Sequence, residues 1–373
     1  MKTRYLLLVF MLLCSACGSK KQQAPKDFIE INMVPLIEGE AEKMPLQEWA
    51  ENVRFIPLVT HGDSKVRNIS QVFQKDDKLL VRYNVDQLSV FDMDGKYLYD
   101  IGAKGTDSSE FVTIWHVNLH NDLIYVQESP NRFKVYDWKG TFIKKMVLPD
   151  KVWGVITVPG KEEMLAYVSN INGEEPVRFY LMRGEEVLDT VPNPFIYPLE
   201  KGASETFILD DFQLSQGALT AFTEINSDTV YRVTENWETR PYIVFNMGKY
   251  LYSRKERYSL TFSQKIDENF KKSKYPLKVL GEIADKVYIY RDYDRSTHIT
   301  IFDDEHVFCY DKQTKEVNKY FLTYPENDLN ILKGAAFVPR AIFDDKYLVD
   351  WEKTERGESM VLIVVEPKIT PKS

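Results

Sequence analysis

The sequence predicts an all-β fold: a six-bladed β-propeller closed by an N-terminal strand, with one helical insertion near residues 249–275. Three observations lead there. An outer hairpin recurs along the chain, a short polar turn precedes each copy, and an unpartnered strand near the start completes the last unit.

The hairpin is clearest in "LSVFDMDGKYLYDI" and "FKVYDWKGTFIKKM", where two alternating strands flank an Asp-x-x-Gly turn. Phe91, Tyr136, Tyr180, Tyr231, Tyr310 and Val364 occupy the equivalent place in successive copies, at separations of 45, 44, 51, 79 and 54 residues. Four of these five separations are close to the ~40–50 residues of a four-stranded propeller blade.

The second marker is independent of the first. "KDDKLLVRY", "HNDLIYVQE", "PGKEEMLAYV", "SQGALTAFTE", "ADKVYIYRD" and "DDKYLVDWE" each place a polar turn before an alternating strand. Asp, Asn and Gly tolerate the backbone angles of tight hairpins. The flanks are rich in Val, Tyr, Ile and Phe, as half-buried strands require.

The sixth unit stops early, because too few residues follow "SMVLIVVEPK" to make another strand. "NVRFIPLVT", Asn52 to Thr60, has no partner in its own neighbourhood and resembles an outermost strand. It is expected to pair with the last blade, closing the ring and hiding two sheet edges. The 79-residue separation contains the insertion, where Tyr258, Phe262, Ile266 and Phe270 fall four apart, as on one face of an amphipathic helix. Such a helix is a packed decoration, a lid or a partner-docking element. The expected divisions are residues 1–16 as a signal peptide, 17–47 as a tether and N-terminal extension, 48–368 as the propeller and 369–373 as a tail.

The first residues, "MKTRYLLLVFMLLCSAC", read as a secretory signal: a charged start, then an apolar run about half the ~20 residues of a membrane span. The ending at Cys17 resembles the lipobox of bacterial lipoproteins, in which that cysteine is acylated and becomes the new N-terminus. Cleavage would leave only Cys17 and Cys309, so no disulfide framework is expected, and Cys309 in "HVFCYD" reads as a small buried residue. "GSKKQQAPKD" has no core-forming residue and reads as a flexible tether. Net charge is −8, or −10 without Lys2 and Arg4, which argues against nucleic acid or anionic headgroups as the main partner.

"DMDGKYLYDIGAKGTDSSEF" resembles the NHL-type repeat, with its Asp-x-x-Gly turn, Ile-Gly-x-x-Gly exit and terminal Phe. With the lipobox and the "ENVRFIPL" opening, residues 48–368 resemble the NHL/TolB-like six-bladed propeller lipoproteins of Bacteroidetes. The resemblance implies the fold and an envelope location, and the expected form is an outer-membrane lipoprotein. The basic and amidic residues after Cys17 favour the periplasmic face. It transfers no catalytic residue. Gly102 and Gly105 are expected to let the chain turn between blades, and Phe111 to wedge there.

No serine-hydrolase elbow, H-E-x-x-H or Walker loop is present. His116 and His120 lie four apart, but in a strand-and-turn context rather than on a helix. "DYDRSTHITIFD" echoes a calcium loop without its turn Gly and final Glu, and reads as a polar hairpin. No metal or cofactor is expected. The candidate ligand-binding residues are those a propeller gathers on its upper face: Trp115, His116, Trp153 and Arg340 at the starts of inner strands, Asp211 opening another, and Arg132, Arg291 and Arg295 between second and third strands. Aromatic and Arg groups converging on a concavity suit peptides or glycans with acidic groups. Packing between blades and solvated loops are the structural alternatives for the same residues. The sequence therefore points to a monomeric envelope protein that binds a protein, peptide or glycan and touches the membrane only through its N-terminal acyl groups. A lyase or hydrolase acting in the central channel, or an accessory of an outer-membrane uptake complex, are the alternatives.

Overall fold

The computed structural model describes residues 28–60, 65–170, 174–194, 196, 213–214, 220–223, 227–253, 256, 273–275, 277–291, 306–325, 336–354 and 359–369. The signal segment, Cys17, Asp211, Arg295, the calcium-loop echo and most of the proposed helical insertion lie outside the described residues.

The chain opens with β1 (Ile29–Asn32), α1 (Val34–Glu38), β2 (Glu42–Pro45), α2 (Leu46–Trp49) and β3 (Ala50–Pro57). Blade 1 follows as β4 (Ile69–Lys75), β5 (Lys78–Tyr83), β6 (Gln87–Asp92) and β7 (Tyr97–Asp100). Blade 2 is β8 (His116–His120), β9 (Leu123–Ser129), β10 (Arg132–Tyr136) and β11 (Phe142–Val147). Blade 3 is β12 (Val152–Thr157), β13 (Met164–Val168), β14 (Val177–Arg183) and β15 (Glu186–Pro192). Blade 4 is β16 (Gln213–Leu214), β17 (Ala221–Thr223), β18 (Thr229–Val233) and β19 (Thr239–Asn246). Blade 5 is β20 (Leu277–Ile283), β21 (Lys286–Arg291), β22 (Val307–Asp311) and β23 (Val317–Thr323). Blade 6 is β24 (Ala341–Phe343), β25 (Tyr347–Lys353) and β26 (Met360–Pro367), completed on its outside by β3.

The six sheets are the six predicted blades. Phe91, Tyr136, Tyr180, Tyr231, Tyr310 and Val364 all fall on third strands. Closure takes the expected form, β3 running antiparallel to β26 with Arg54 opposite Val364 and Phe55 opposite Ile363. The strand itself is Ala50–Pro57, so it starts two residues before the expected Asn52. Val59 then bridges to Lys96 at the outer turn of blade 1.

The repeated turn has a local cause. In blade 1 Asp92 accepts the N–H groups of Asp94 and Lys96 at 3.0 and 2.8 Å, and Gly95 takes φ +82°. In blade 2 Asp137 accepts from Lys139 and Thr141, both at 2.8 Å, and Gly140 takes φ +81°. A Cβ on Gly95 would stand 2.2 Å from the Pro57 carbonyl oxygen, so the glycine also lets the closing strand pass. In blade 5 Asp311 plays the same part for Gln313 and Thr314, with Lys315 at φ +63° where the first two blades have glycine.

Alternation along each strand fills the seams between blades. In β5, Leu79 and Val81 enter the blade 6–1 cluster while Leu80 enters the blade 1–2 cluster. Six buried clusters result, one per seam. Phe111 lies in the blade 1–2 seam at 1% exposure, as expected of a wedge. Cys309 is buried between blades 5 and 6, and burial pushes its thiol up to about 12.

The N-terminal extension is built into the fold from Ile29 onward. β1 adds to the outer edge of blade 4, parallel to β19, with Ile31 opposite Phe245. β2 adds in the same way to blade 5, with Lys43 opposite Phe321. Met33 and Leu46 are fully buried, and the Trp49 ring lies edge-on to Tyr288 and Tyr320 at 6.2 and 6.0 Å. The extension thus runs along the outsides of blades 4, 5 and 6 before blade 1 begins.

Candidate functional site

Each first strand starts, and each second strand ends, on the same face of the ring, here called the upper face. The candidate residues gather there because of this topology.

Between blades 1 and 2, two side chains clamp the start of β8. Gln71 accepts the Val117 N–H at 2.9 Å and donates to the Val117 carbonyl at 3.1 Å. Arg82 donates to the Trp115 carbonyl at 2.8 Å, to Gln71 Oε1 at 3.3 Å and to the Ile114 carbonyl. Burial lowers the Arg82 guanidinium to about 10, against the nearby charge of Asp86. The next seam repeats the device, with Gln127 donating to the Trp153 carbonyl at 3.2 Å. Both tryptophan backbones are therefore held by the preceding blade. Their rings meet edge to face at 5.7 Å, and Trp115 remains 45% exposed.

His116 faces the amide of Gln71 at 3.3 Å. That amide nitrogen can only donate, so His116 Nε2 accepts and the imidazole is neutral with its proton on Nδ1. Desolvation, with the charge of Arg82, pushes its pKa down to about 4. His120 sits at the far end of β8, roughly 13 Å along the strand at ~3.3 Å per residue, so the pair makes no shared metal site. Among the described residues no group of three or more His, Cys, Asp or Glu side chains could hold a metal ion.

The other arginines differ sharply from one another. Arg291 is 4% exposed, lies over the Tyr275 ring at 4.1 Å and donates to the Lys274 carbonyl at 2.9 Å. Arg340 pairs with Asp350 at 2.7 Å and Glu352 at 2.9 Å, and lies over Trp351 at 4.7 Å. Asp350 is fully buried and also accepts from the Tyr324 hydroxyl, the Val338 N–H and the Trp351 N–H. Both arginines thus build the upper rim of blades 5 and 6. Arg132 is exposed and has no side-chain partner among the described residues.

The structure brings Trp115, His116 and Trp153 together across two seams, with Arg132 at the start of β10, two strands further out in blade 2. It separates them from Arg291 and Arg340, which lie on blades 5 and 6. Sequence reasoning passed over Arg82 and Gln127, which hold the Trp115 and Trp153 carbonyls, and Gln71, which holds Val117. A polar residue late in a second strand, repeated as Arg82 and Gln127, was the available signal.

Six radial sheets sharing six apolar seams, with an aromatic pair on one face, define a six-bladed β-propeller. The chain belongs to the family described as Domain of unknown function (DUF4934), whose model matches residues 28–357. No curated protein matches it. Among solved structures it is similar to a protein from Bacteroides fragilis NCTC 9343 described as exported, at 15% identity over 92% of this chain and 100% of that chain, with a TM-score of 0.65. It is more distantly similar to virginiamycin B lyase from Staphylococcus aureus, at 12% identity over 84% of this chain and 99% of that one, with a TM-score of 0.41. A Bacteroides thetaiotaomicron VPI-5482 protein of unknown function scores the same 0.41 at 13% identity, over 84% of this chain and 76% of that one. The first likeness establishes the fold; the other two carry no argument.

Proposed function

We propose that this chain is an NHL/TolB-like envelope lipoprotein of the outer membrane, held through an acylated Cys17, that binds a protein, peptide or glycan partner on its upper face. The observation that carries the reading is Trp115, 45% exposed beside Trp153, with its carbonyl held by Arg82 and that of Trp153 by Gln127. A large aromatic ring held rigidly in water loses little conformational entropy when a partner covers it. The exported description of the Bacteroides fragilis protein supports an envelope location. The signal-like start and the basic tether support the lipid anchor and the periplasmic side.

Two measurements test this. Metabolic labelling with a clickable fatty acid should mark the wild-type chain and leave Cys17→Ser unmarked. Quantitative capture from native membranes should recover a partner that a Trp115→Ala, Arg132→Ala double variant loses while keeping its thermal midpoint. Equal recovery by both chains would refute the upper-face reading.

A further inference from the structure

The connection between β5 and β6 holds an apolar side chain in water at a conformational cost. Asn84 and Val85 take φ +47° and +71°. Of the eleven non-glycine residues with positive φ among those described, Val85 alone is β-branched. A left-handed conformation favours Gly or Asn, and a β-branched residue there is a strained exception. Val85 is nonetheless 61% exposed, so no burial offsets the strain.

Both neighbours are fastened. The Asn84 side chain accepts the Arg67 N–H at 2.9 Å and donates to the Lys65 carbonyl at 2.7 Å and to Gln87 at 2.8 Å. The Asp86 carboxylate is paired with Lys104 and accepts from Thr113 at 3.3 Å. Strain that the surroundings over-determine in this way is characteristic of binding surfaces. The contact with Thr113 also sets this turn beside Val112, which is 60% exposed, and two residues before Trp115. One stretch of the blade 1–2 rim therefore carries Val85, Val112 and Trp115.

The charges around it are unbalanced. Lys65, Arg67 and Arg132 are exposed and have no side-chain partner among the described residues. The nearest acids are engaged, Asp86 with Lys104 and Glu128 with Lys134 at 3.3 Å and with the Val112 N–H at 3.1 Å, which leaves Asp107 as the exposed acid of the same loop. Open cations beside apolar groups, in a chain of net charge −8, select a ligand that brings its own carboxylate.

From this geometry we infer that the rim formed by Val85, Val112 and Trp115 is a docking site for a polypeptide segment with an apolar side chain next to Asp or Glu. The inference rests on the upper-face reading above and chooses polypeptide over glycan. Two exposed valines on the same rim as the ring offer aliphatic contact and no hydrogen bond, which suits an apolar side chain better than hydroxylated sugar edges.

The test uses the full chain to pan a display library of random linear peptides, with an oligogalacturonate as the glycan arm. Recovered peptides should share an apolar–acidic pair. Val85→Gly should weaken them about tenfold, as expected for losing one buried valine contact, while its thermal midpoint stays the same or rises because the strain is relieved. Arg67→Glu with Arg132→Glu should weaken them further, and added salt should reproduce part of that loss. A lowered midpoint in Val85→Gly, peptides indifferent to these substitutions, no recovered peptide, or Trp115-dependent binding of the oligogalacturonate alone would each overturn the assignment. In the last case the upper-face reading survives, whereas partner binding untouched by Trp115→Ala and Arg132→Ala would overturn both.

Discussion

The upper rims of blades 5–6 and of blades 1–2 use the same residue types to opposite ends. Around blades 5 and 6, Arg291 and Arg340 lie over aromatic rings, and Arg340 is neutralised by Asp350 and Glu352. Around blades 1 and 2, Arg67, Arg132 and Trp115 face water. An arginine near an aromatic ring is thus no mark of a ligand site. What separates a built rim from an open one is whether the protein itself supplies the partner. The predictions below set the two rims against each other.

The largest effect belongs to the built rim. Asp350 is fully buried and holds Arg340, Tyr324 and two backbone N–H groups. Its removal leaves a buried hydroxyl and two N–H groups without their acceptor and Arg340 with Glu352 alone, at a cost of about 3–5 kcal/mol. Denaturant unfolding of Asp350→Ala should show that loss, while peptide or partner capture by the folded fraction stays normal. A loss below about 1 kcal/mol would mean that the network is loosely held.

The clamp under the open rim should matter less. Arg82 makes three hydrogen bonds to the adjoining blade and to Gln71. Arg82→Met keeps its stem but strands the Trp115 and Ile114 carbonyls, a change of about 1–3 kcal/mol. It should also weaken partner capture, because Trp115 loses its support. Undiminished capture would show that the tryptophan is positioned by its ring contacts alone.

His116 gives a pH signature to the same rim. Its native pKa is pushed down to about 4, against an ordinary 6.5. The unfolded chain therefore takes up a proton near pH 6.5, and the native chain only near 4. The stabilisation from neutral His116 is complete above 6.5 and is lost as pH falls toward 4, at up to about 1.4 kcal/mol per pH unit. His116→Gln should remove that part of the slope. Identical slopes between pH 7 and 5 for the two chains would contradict the neutral assignment.

How much of this was legible in the sequence follows from the range of the forces involved. The six blades and the closing strand could be read because alternation and turn chemistry act within a few residues, as Asp92 and Asp137 do at their turns. The repeat fades in blades 4 and 5 because Trp237 and Lys315 adopt the left-handed backbone that glycine marks elsewhere. The belt strands β1 and β2 were missed as strands: four residues each give too little alternation, and both pair with edges more than two hundred residues away. The site was only half legible. Residue type pointed to Trp115 and Arg132 but equally to Arg291 and Arg340, and exposure, which separates them, depends on packing across seams. Val85 carries no sequence signal except that a valine follows Asn84 where Gly would be expected.

The smallest stability effect is expected where the functional effect should be greatest. Trp115 is nearly half exposed and belongs to none of the six buried clusters, whereas Trp153 packs against the blade 3–4 cluster. Trp115→Ala should therefore change unfolding free energy by no more than about 0.5 kcal/mol, the range of surface substitutions. Trp153→Ala, which opens a gap at the edge of a seam, should cost about 1–3 kcal/mol, less than the truncation of a fully buried ring. If the open rim exists to be covered by a partner, Trp115→Ala abolishes capture at almost unchanged stability. A Trp115→Ala chain that loses as much stability as Trp153→Ala would place both rings in the architecture, and the open rim would then rest on Val85, Arg67 and Arg132 alone.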